Sequence, residues 1–185
     1  EFRQAVAGKG VLRITLNAAG RAAHAAYPEL GDSAVLKLLD VLAALRAHSW
    51  PEDPVLGPTT MNIGTIHGGL KANIIPPRAA AEVMFRTVTP SAEIHASVEK
   101  IAGDRVSIEV GSTSEPIHMK VIPGFGRGEI VVRFGTDIPY LGAWGQPMLF
   151  GPGSIHDAHT SDEYILKADL HEAVEVYAGL VKSLL

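Results

Sequence analysis

Leu12, Ile14 and Leu16 alternate with Arg13, Thr15 and Asn17, the period of two expected of a strand with one buried face. After a polar, glycine-bearing stretch, Val35, Leu38, Leu39, Leu42 and Leu45 recur at helical spacing, which predicts an amphipathic helix with these residues on its buried face. Asp32 or Ser33 can cap its start, and Pro51 closes its exit. Met61, Ile63 and Thr65 predict a second strand running to His67 and ended by Gly68-Gly69. Ala81, Val83 and Phe85, alternating with Glu82, Met84 and Arg86, predict a third. Pro90 and Ser91 open a short helix with Ile94, Val98 and Ile101 on one face, and Gly103 stands where a left-handed cap belongs. Val106, Ile108 and Val110 supply a last strand.

The order is β-α-β-β-α-β across residues 10–111, the split βαβ arrangement, whose economical solution is a four-stranded antiparallel sheet with two helices on one face. Between Thr113 and Gly128 the pattern dissolves into Pro116, Pro123, Gly124, Gly126 and Gly128, which marks the crossing into a second unit. There the pattern predicts strands at Ile130–Val132 and Met148–Phe150. A closing helix follows, with Leu170, Ala173, Val174, Tyr177, Val181 and Leu184 on its buried side. The fold class expected is α+β / α/β: a ferredoxin-like βαββαβ domain over residues 9–115, followed by a partial α/β segment over 116–185. A tail of that length is thin for an independent core, since a domain of about 60 residues is already marginal, and it reads as half of something larger. Residues 1–8 carry no pattern to which an element is assigned.

Composition narrows the function classes. Hydrophobic residues make up 46% of the 185 and charged residues 19%, with mean hydropathy +0.17, which places the chain among globular proteins. A net charge of −4 gives no basic stripe, so no nucleic-acid partner is expected. The richest apolar stretch, Val35 to Leu45, is broken by Lys37 and Asp40, so no membrane span is expected either. With no Cys, any soft-metal chemistry rests on the eight His and on carboxylates, and a cytoplasmic address is the expectation.

The densest polar segment is Gly151-Pro152-Gly153-Ser154-Ile155-His156-Asp157-Ala158-His159-Thr160-Ser161-Asp162-Glu163. Imidazoles and carboxylates of this kind suit Zn²⁺, while the same residues equally describe a solvated loop that caps the next helix. Arg86 falls on the strand face opposite Val83 and Phe85. It is either an ordinary solvent-facing arginine or a planar clamp for a carboxylate. Asn73 reads as a turn residue, and His24, flanked by alanines too small to bury it, projects.

Taken in order, Gly20-Arg21-Ala22-Ala23-His24-Ala25 through Pro28-Glu29-Leu30-Gly31, Gly64-Thr65-Ile66-His67-Gly68-Gly69 into Asn73-Ile74-Ile75-Pro76, Arg86, Phe134-Gly135-Thr136-Asp137, and Gly151-Pro152-Gly153 with Ala158-His159-Thr160 and Glu163 form one series. That series resembles the M20 family of metal-dependent aminoacylases and peptidases, in particular its acetylornithine deacetylase and succinyl-diaminopimelate desuccinylase branch. The resemblance covers nearly the whole chain from Lys9. It implies a two-metal catalytic domain interrupted by a βαββαβ lid that also makes a homodimer. It further implies Zn²⁺, or Co²⁺ or Mn²⁺, as cofactor and a small N-acyl-L-amino acid or dipeptide as substrate. By the same resemblance His159 is a metal ligand and His24 reaches across the dimer to the substrate's carbonyl oxygen. Asn73 and Arg86 hold the substrate's carboxylate, and Gly153 lies beside the acyl group. His156 has no counterpart.

The departures carry equal weight. The family's remaining ligands and its general base lie in a His-x-Asp and a Glu-Glu pair, and neither motif occurs in this sequence. The stretch from Glu115-Pro116 to Gly135 is also short, so a helix of the second unit is expected to be absent or reduced there. The chain therefore reads as the lid plus the C-terminal part of an M20-like amide hydrolase, expected to be inactive alone. The alternative is a non-catalytic dimerisation module or a degenerate relative without hydrolase activity.

Overall fold

The computed structural model describes residues 2–185. In chain order the elements are β1 (Gln4–Gly8), β2 (Gly10–Ala19), α1 (Ala34–Ala47), the short strands β3 (Glu52–Asp53) and β4 (Gly57–Pro58), β5 (Thr60–Gly68), β6 (Arg78–Thr87), α2 (Ser91–Ala102), β7 (Ser107–Ser114), β8 (Ile117–His118), β9 (Glu129–Val132) and α3 (Lys167–Leu184). They divide into two compact units: Lys9–Pro116, and the segment up to Gly8 together with Ile117–Leu185. The first unit is thus an insertion between β1 and β8.

In the inserted unit the sheet order is β5-β6-β2-β7, antiparallel throughout. Leu12, Ile14 and Leu16 of β2 and Ala81, Val83 and Phe85 of β6 point to one side. There they meet Leu38, Val41, Leu42 and Leu45 of α1 and Ile94 and Val98 of α2 in one buried cluster. Each large aliphatic side chain so buried contributes roughly 1.5–3 kcal/mol, which makes this the stable body of the molecule. Ser33 caps α1, its hydroxyl accepting the Leu36 N–H at 3.3 Å. Leu39, expected on the buried face of that helix, is 47% exposed. At about 100° per residue it lies about 90° from the centre of the stripe set by Leu38, Leu42 and Leu45.

Helix α2 begins after Pro90, which offers no capping side chain. Glu115, at the far end of β7, supplies the cap instead: its carboxylate accepts the backbone N–H of Ser91 at 3.0 Å and the Ser91 hydroxyl at 2.5 Å. Gly103 ends the helix as expected, but at φ 58° and ψ −136° it lies outside the left-handed helical region expected of the cap, in a conformation open to glycine. Val110 lies on β7, the expected last strand. It pairs with Ile14 yet is 49% exposed, because β7 is an edge strand with a neighbour on one side only and a register irregularity just beyond that pair.

The other unit is sparer. Residues 4–8, to which the sequence pattern assigns nothing, form the central strand β1, with β8 antiparallel on one side and β9 parallel on the other. Met148–Phe150, expected as a strand, is irregular. It runs beside β1 with the carbonyl of Leu149 accepting the Ala5 N–H at 2.9 Å, but Pro147 and Pro152 bracket it and cannot donate. No helix lies between Ile117 and Gly135. Helix α3 forms as expected, but its apolar stripe is not buried. Ala173 alone of that stripe is buried, Val176 and Leu180 beside it are half-buried, and Val174 is 66% and Val181 56% exposed. The core of this unit, Ala5, Met119 and Val132 with partly buried neighbours, is too small to sheathe an eighteen-residue helix.

Candidate functional site

At one end of the inserted sheet, the loop after β2 and the loop before β6 zip together. Gly20 N–H donates to Pro77 O at 2.9 Å, Ile75 N–H to Ala23 O at 2.8 Å and Ala25 N–H to Asn73 O at 3.0 Å, with His24 bridged to Ile74. Small residues make the approach possible: a β-carbon at Gly20 would collide with the backbone carbonyl of Asp32, which cannot move aside. Asp32 and Arg21 exchange backbone hydrogen bonds, Arg21 Nε donates to Leu30 O, and Lys37 pairs with the Asp32 carboxylate. The result is a braced corner that carries His24 and Asn73 next to each other.

The His24 ring is exposed, and its Nδ1 accepts the backbone N–H of Ala26 at 3.1 Å. A nitrogen that accepts holds no proton, so the neutral ring carries its proton on Nε2. That tautomer is assigned from the hydrogen bond. The corner therefore offers a projecting N–H donor, which is suited to an oxygen acceptor.

Arg86 occupies the opposite end of the same sheet. It lies on β6 eight residues beyond Arg78, which pairs with Ala19 at the corner, and so about 27 Å away at 3.4 Å per residue. Its neighbours across the ladder are Val11 and Thr60, and its side chain stands on the face away from the helices. No hydrogen bond or ion pair with another described residue engages its guanidinium. Asn73 and Arg86 of one protomer therefore cannot hold one small ligand.

The third group lies in the other unit, on the loop after Phe150. Gly153 adopts φ 76°, and Ser154 caps the turn that follows by accepting the His156 N–H at 3.2 Å. His159 adopts φ 63°, a left-handed conformation that costs a non-glycine residue about 1 kcal/mol or more. The Glu163 carboxylate accepts its backbone N–H at 2.8 Å and braces it there. A cleft of about 410 Å³ in this unit is lined by Phe134, Leu149, Gly153, His156 and Glu163 among others, and His159 is not among its lining residues. His156, which sequence reasoning left without a role, thus lines the cleft. The contact of Glu163 with His159 was legible only as a four-residue spacing, with nothing in the sequence to separate it from an ordinary helix-approach acid.

A metal fits poorly with this chain by itself. Among the described residues no three His, Asp or Glu side chains gather into a group that could hold an ion.

Comparison with known proteins follows the same lines. A family model for the M20 dimerisation domain, described as a peptidase dimerisation domain, matches residues 6–108. A peptidase M20 domain-containing protein of Schizosaccharomyces pombe is 38% identical over 184 residues, covering 98% of this chain and 46% of its own length. A probable carboxypeptidase of Paracoccidioides lutzii is 35% identical over 198 residues, covering 94% of this chain and 44% of its own length. This chain thus spans about half the length of these relatives. Among solved structures, the aminopeptidase PepT of Bacillus cereus superposes with a TM-score of 0.71 at 22% identity, over 95% of this chain and 52% of that one, a likeness of fold.

Proposed function

The chain belongs to the M20 peptidase family, and from that premise we propose that it is the lid and one part of the catalytic domain of a hydrolase that cleaves the amide bond of a small N-acyl-L-amino acid or dipeptide. The observation that carries this reading is the braced corner that presents His24 Nε2–H as a donor with Asn73 beside it. In amide hydrolysis negative charge develops on the carbonyl oxygen, and a fixed donor placed there stabilises the transition state more than the ground state. Arg86, with no partner among the described residues and planar, is the bidentate holder of the substrate's carboxylate.

The separation of Arg86 from the corner supports a site shared between protomers. An amino-acid-sized ligand cannot span about 27 Å, so a site that uses both takes Arg86 from one protomer and His24 with Asn73 from its partner. This agrees with a dimerisation domain at residues 6–108. His159 is the metal-directed residue of this chain, for Zn²⁺ or alternatively Co²⁺ or Mn²⁺, with further ligands and the base supplied from outside it. Gly153 borders the acyl group. The absence of a metal-holding group among the described residues favours one competing reading, a dimerisation module without catalysis.

The test is a chimera that joins this chain to the portion of the Schizosaccharomyces pombe relative outside the match. Hydrolysis of N-acyl amino acids, with little turnover of the matching carboxamides, is the expected outcome. A folded, dimeric chimera that turns over neither would overturn the hydrolase reading in favour of the module.

A further inference from the structure

The turn that carries His24 holds a feature beyond the role just proposed. Tyr27 N–H donates to His24 O at 2.9 Å, which closes a tight turn over Ala25 and Ala26. Within that turn the imidazole folds back on its own backbone, so that Nδ1 meets the Ala26 N–H at 3.1 Å. The Tyr27 ring stands edge-on to it, with centroids 6.4 Å apart and planes at 61°. The main chain on the other side of the histidine is held to Asn73 and Ile75 through Ala25 N–H and Ala23 O. His24 is therefore exposed yet restrained on its backbone, its Nδ1 and one ring edge, with only the Nε2 side left to a ligand.

We propose that the backbone N–H of Ala26 is a positioning group that selects the Nε2-protonated tautomer of His24 and aims it, making this corner a hydrogen-bond donor rather than a proton acceptor. This rests on the reading of His24 as the residue that meets the substrate's carbonyl oxygen. An imidazole free to change tautomer presents either a donor or a lone pair at its outer nitrogen, and a lone pair facing a carbonyl oxygen is repulsive. The Ala26 N–H removes that ambiguity: a proton on Nδ1 would point at another proton. The turn thus does for this exposed histidine what a buried carboxylate or carbonyl does for histidines whose Nδ1 carries the proton, with the opposite tautomer selected. It also limits the ligand chemistry at the corner to oxygen acceptors, a carbonyl or carboxylate, and excludes donors such as an ammonium group.

The experiment uses the 185-residue chain itself and does not depend on activity. Long-range ¹H–¹⁵N correlation of histidine-labelled protein should show His24 with Nε2 protonated and Nδ1 in the range of a hydrogen-bonded acceptor. Ala26→Pro, which removes the N–H, should shift His24 toward a mixture of tautomers. Ala26→Gly, which keeps it, should leave the wild-type spectrum. Because the proline variant can disturb the turn, a second measurement leaves residue 26 untouched. The Ala26 amide should exchange with solvent about fivefold faster in His24→Ala than in wild type, the effect of losing one hydrogen bond worth about 1 kcal/mol. An unchanged Ala26 exchange rate, or a tautomer mixture already present in the wild-type chain, overturns the proposal. If the spectra come out as expected but His24→Ala in the chimera keeps full turnover, the positioning stands and the catalytic reading of His24 falls.

Discussion

At the scale of single residues, the inserted unit separates two kinds of requirement. Gly20 is steric: its Cα sits against the Asp32 carbonyl, so Gly20→Ala should lower the stability of the inserted unit by about 1–3 kcal/mol, read as a lower urea midpoint at unchanged m-value. Arg86 is chemical. Arg86→Lys keeps the charge and loses the planar fork, so in the chimera KM should rise more than kcat falls, the mark of lost uniform binding. A fall in kcat alone would assign Arg86 to the chemistry instead. His24→Ala should lower kcat on the order of 10²-fold with metal content unchanged. In the sequence all three positions stood out as members of the motif series. Their difference in kind came from what surrounds each: a backbone oxygen at Gly20, open ladder at Arg86, and the Ala26 N–H at His24.

Among the elements, two helices of similar amphipathic pattern meet different fates. In α1, Leu38 is 1% exposed between the sheet and α2, and Leu38→Ala should cost about 2–5 kcal/mol. In α3, Val174 on the apolar stripe is 66% exposed, and Val174→Lys in this chain should change stability by no more than about 0.5 kcal/mol. Thermal or urea melts of the two variants measure the contrast directly, and a large loss for Val174→Lys would mean that the stripe is covered in solution. Helical period was readable in both sequences, because it depends only on spacing. Coverage was not, because it depends on how much sheet lies opposite. The wide sheet of the inserted unit offers that surface, and the three-stranded sheet of the other does not.

For the whole molecule, the chain alone is expected to bind Zn²⁺ weakly and to turn nothing over, since one histidine with scattered carboxylates cannot complete a tetrahedral site. Tight, stoichiometric binding in calorimetry would contradict this. The dimer has a stricter test, in which chimeras bearing His24→Ala and His159→Ala are mixed and re-associated. Each heterodimer then holds one site with an intact His159 on one chain and an intact His24 from the other, so activity should partly return. Heterodimers without recovered activity would show that His24 serves its own chain or none.

Alternation and helical spacing, which are local properties, were enough to specify the βαββαβ order, and single residue types marked the ends of α1 and α2 at Ser33 and Gly103 and the exposure of His24 between alanines. The ordered motifs were enough to identify the family. Everything that depends on which strand lies beside which was decided only in three dimensions. The short segment at residues 4–8 became a central strand because β8 and β9 pair with it from more than a hundred residues away, and Met148–Phe150 stayed irregular between two prolines that cannot donate. Glu115 became the cap of α2 through a contact spanning 24 residues. Asn73 and Arg86, thirteen residues apart in sequence, came to lie at opposite ends of one sheet because the chain between them runs the length of β6. A strand extends its residues in a line, whereas a site needs them around a point, and only the pairing of strands, loops and protomers converts the one into the other.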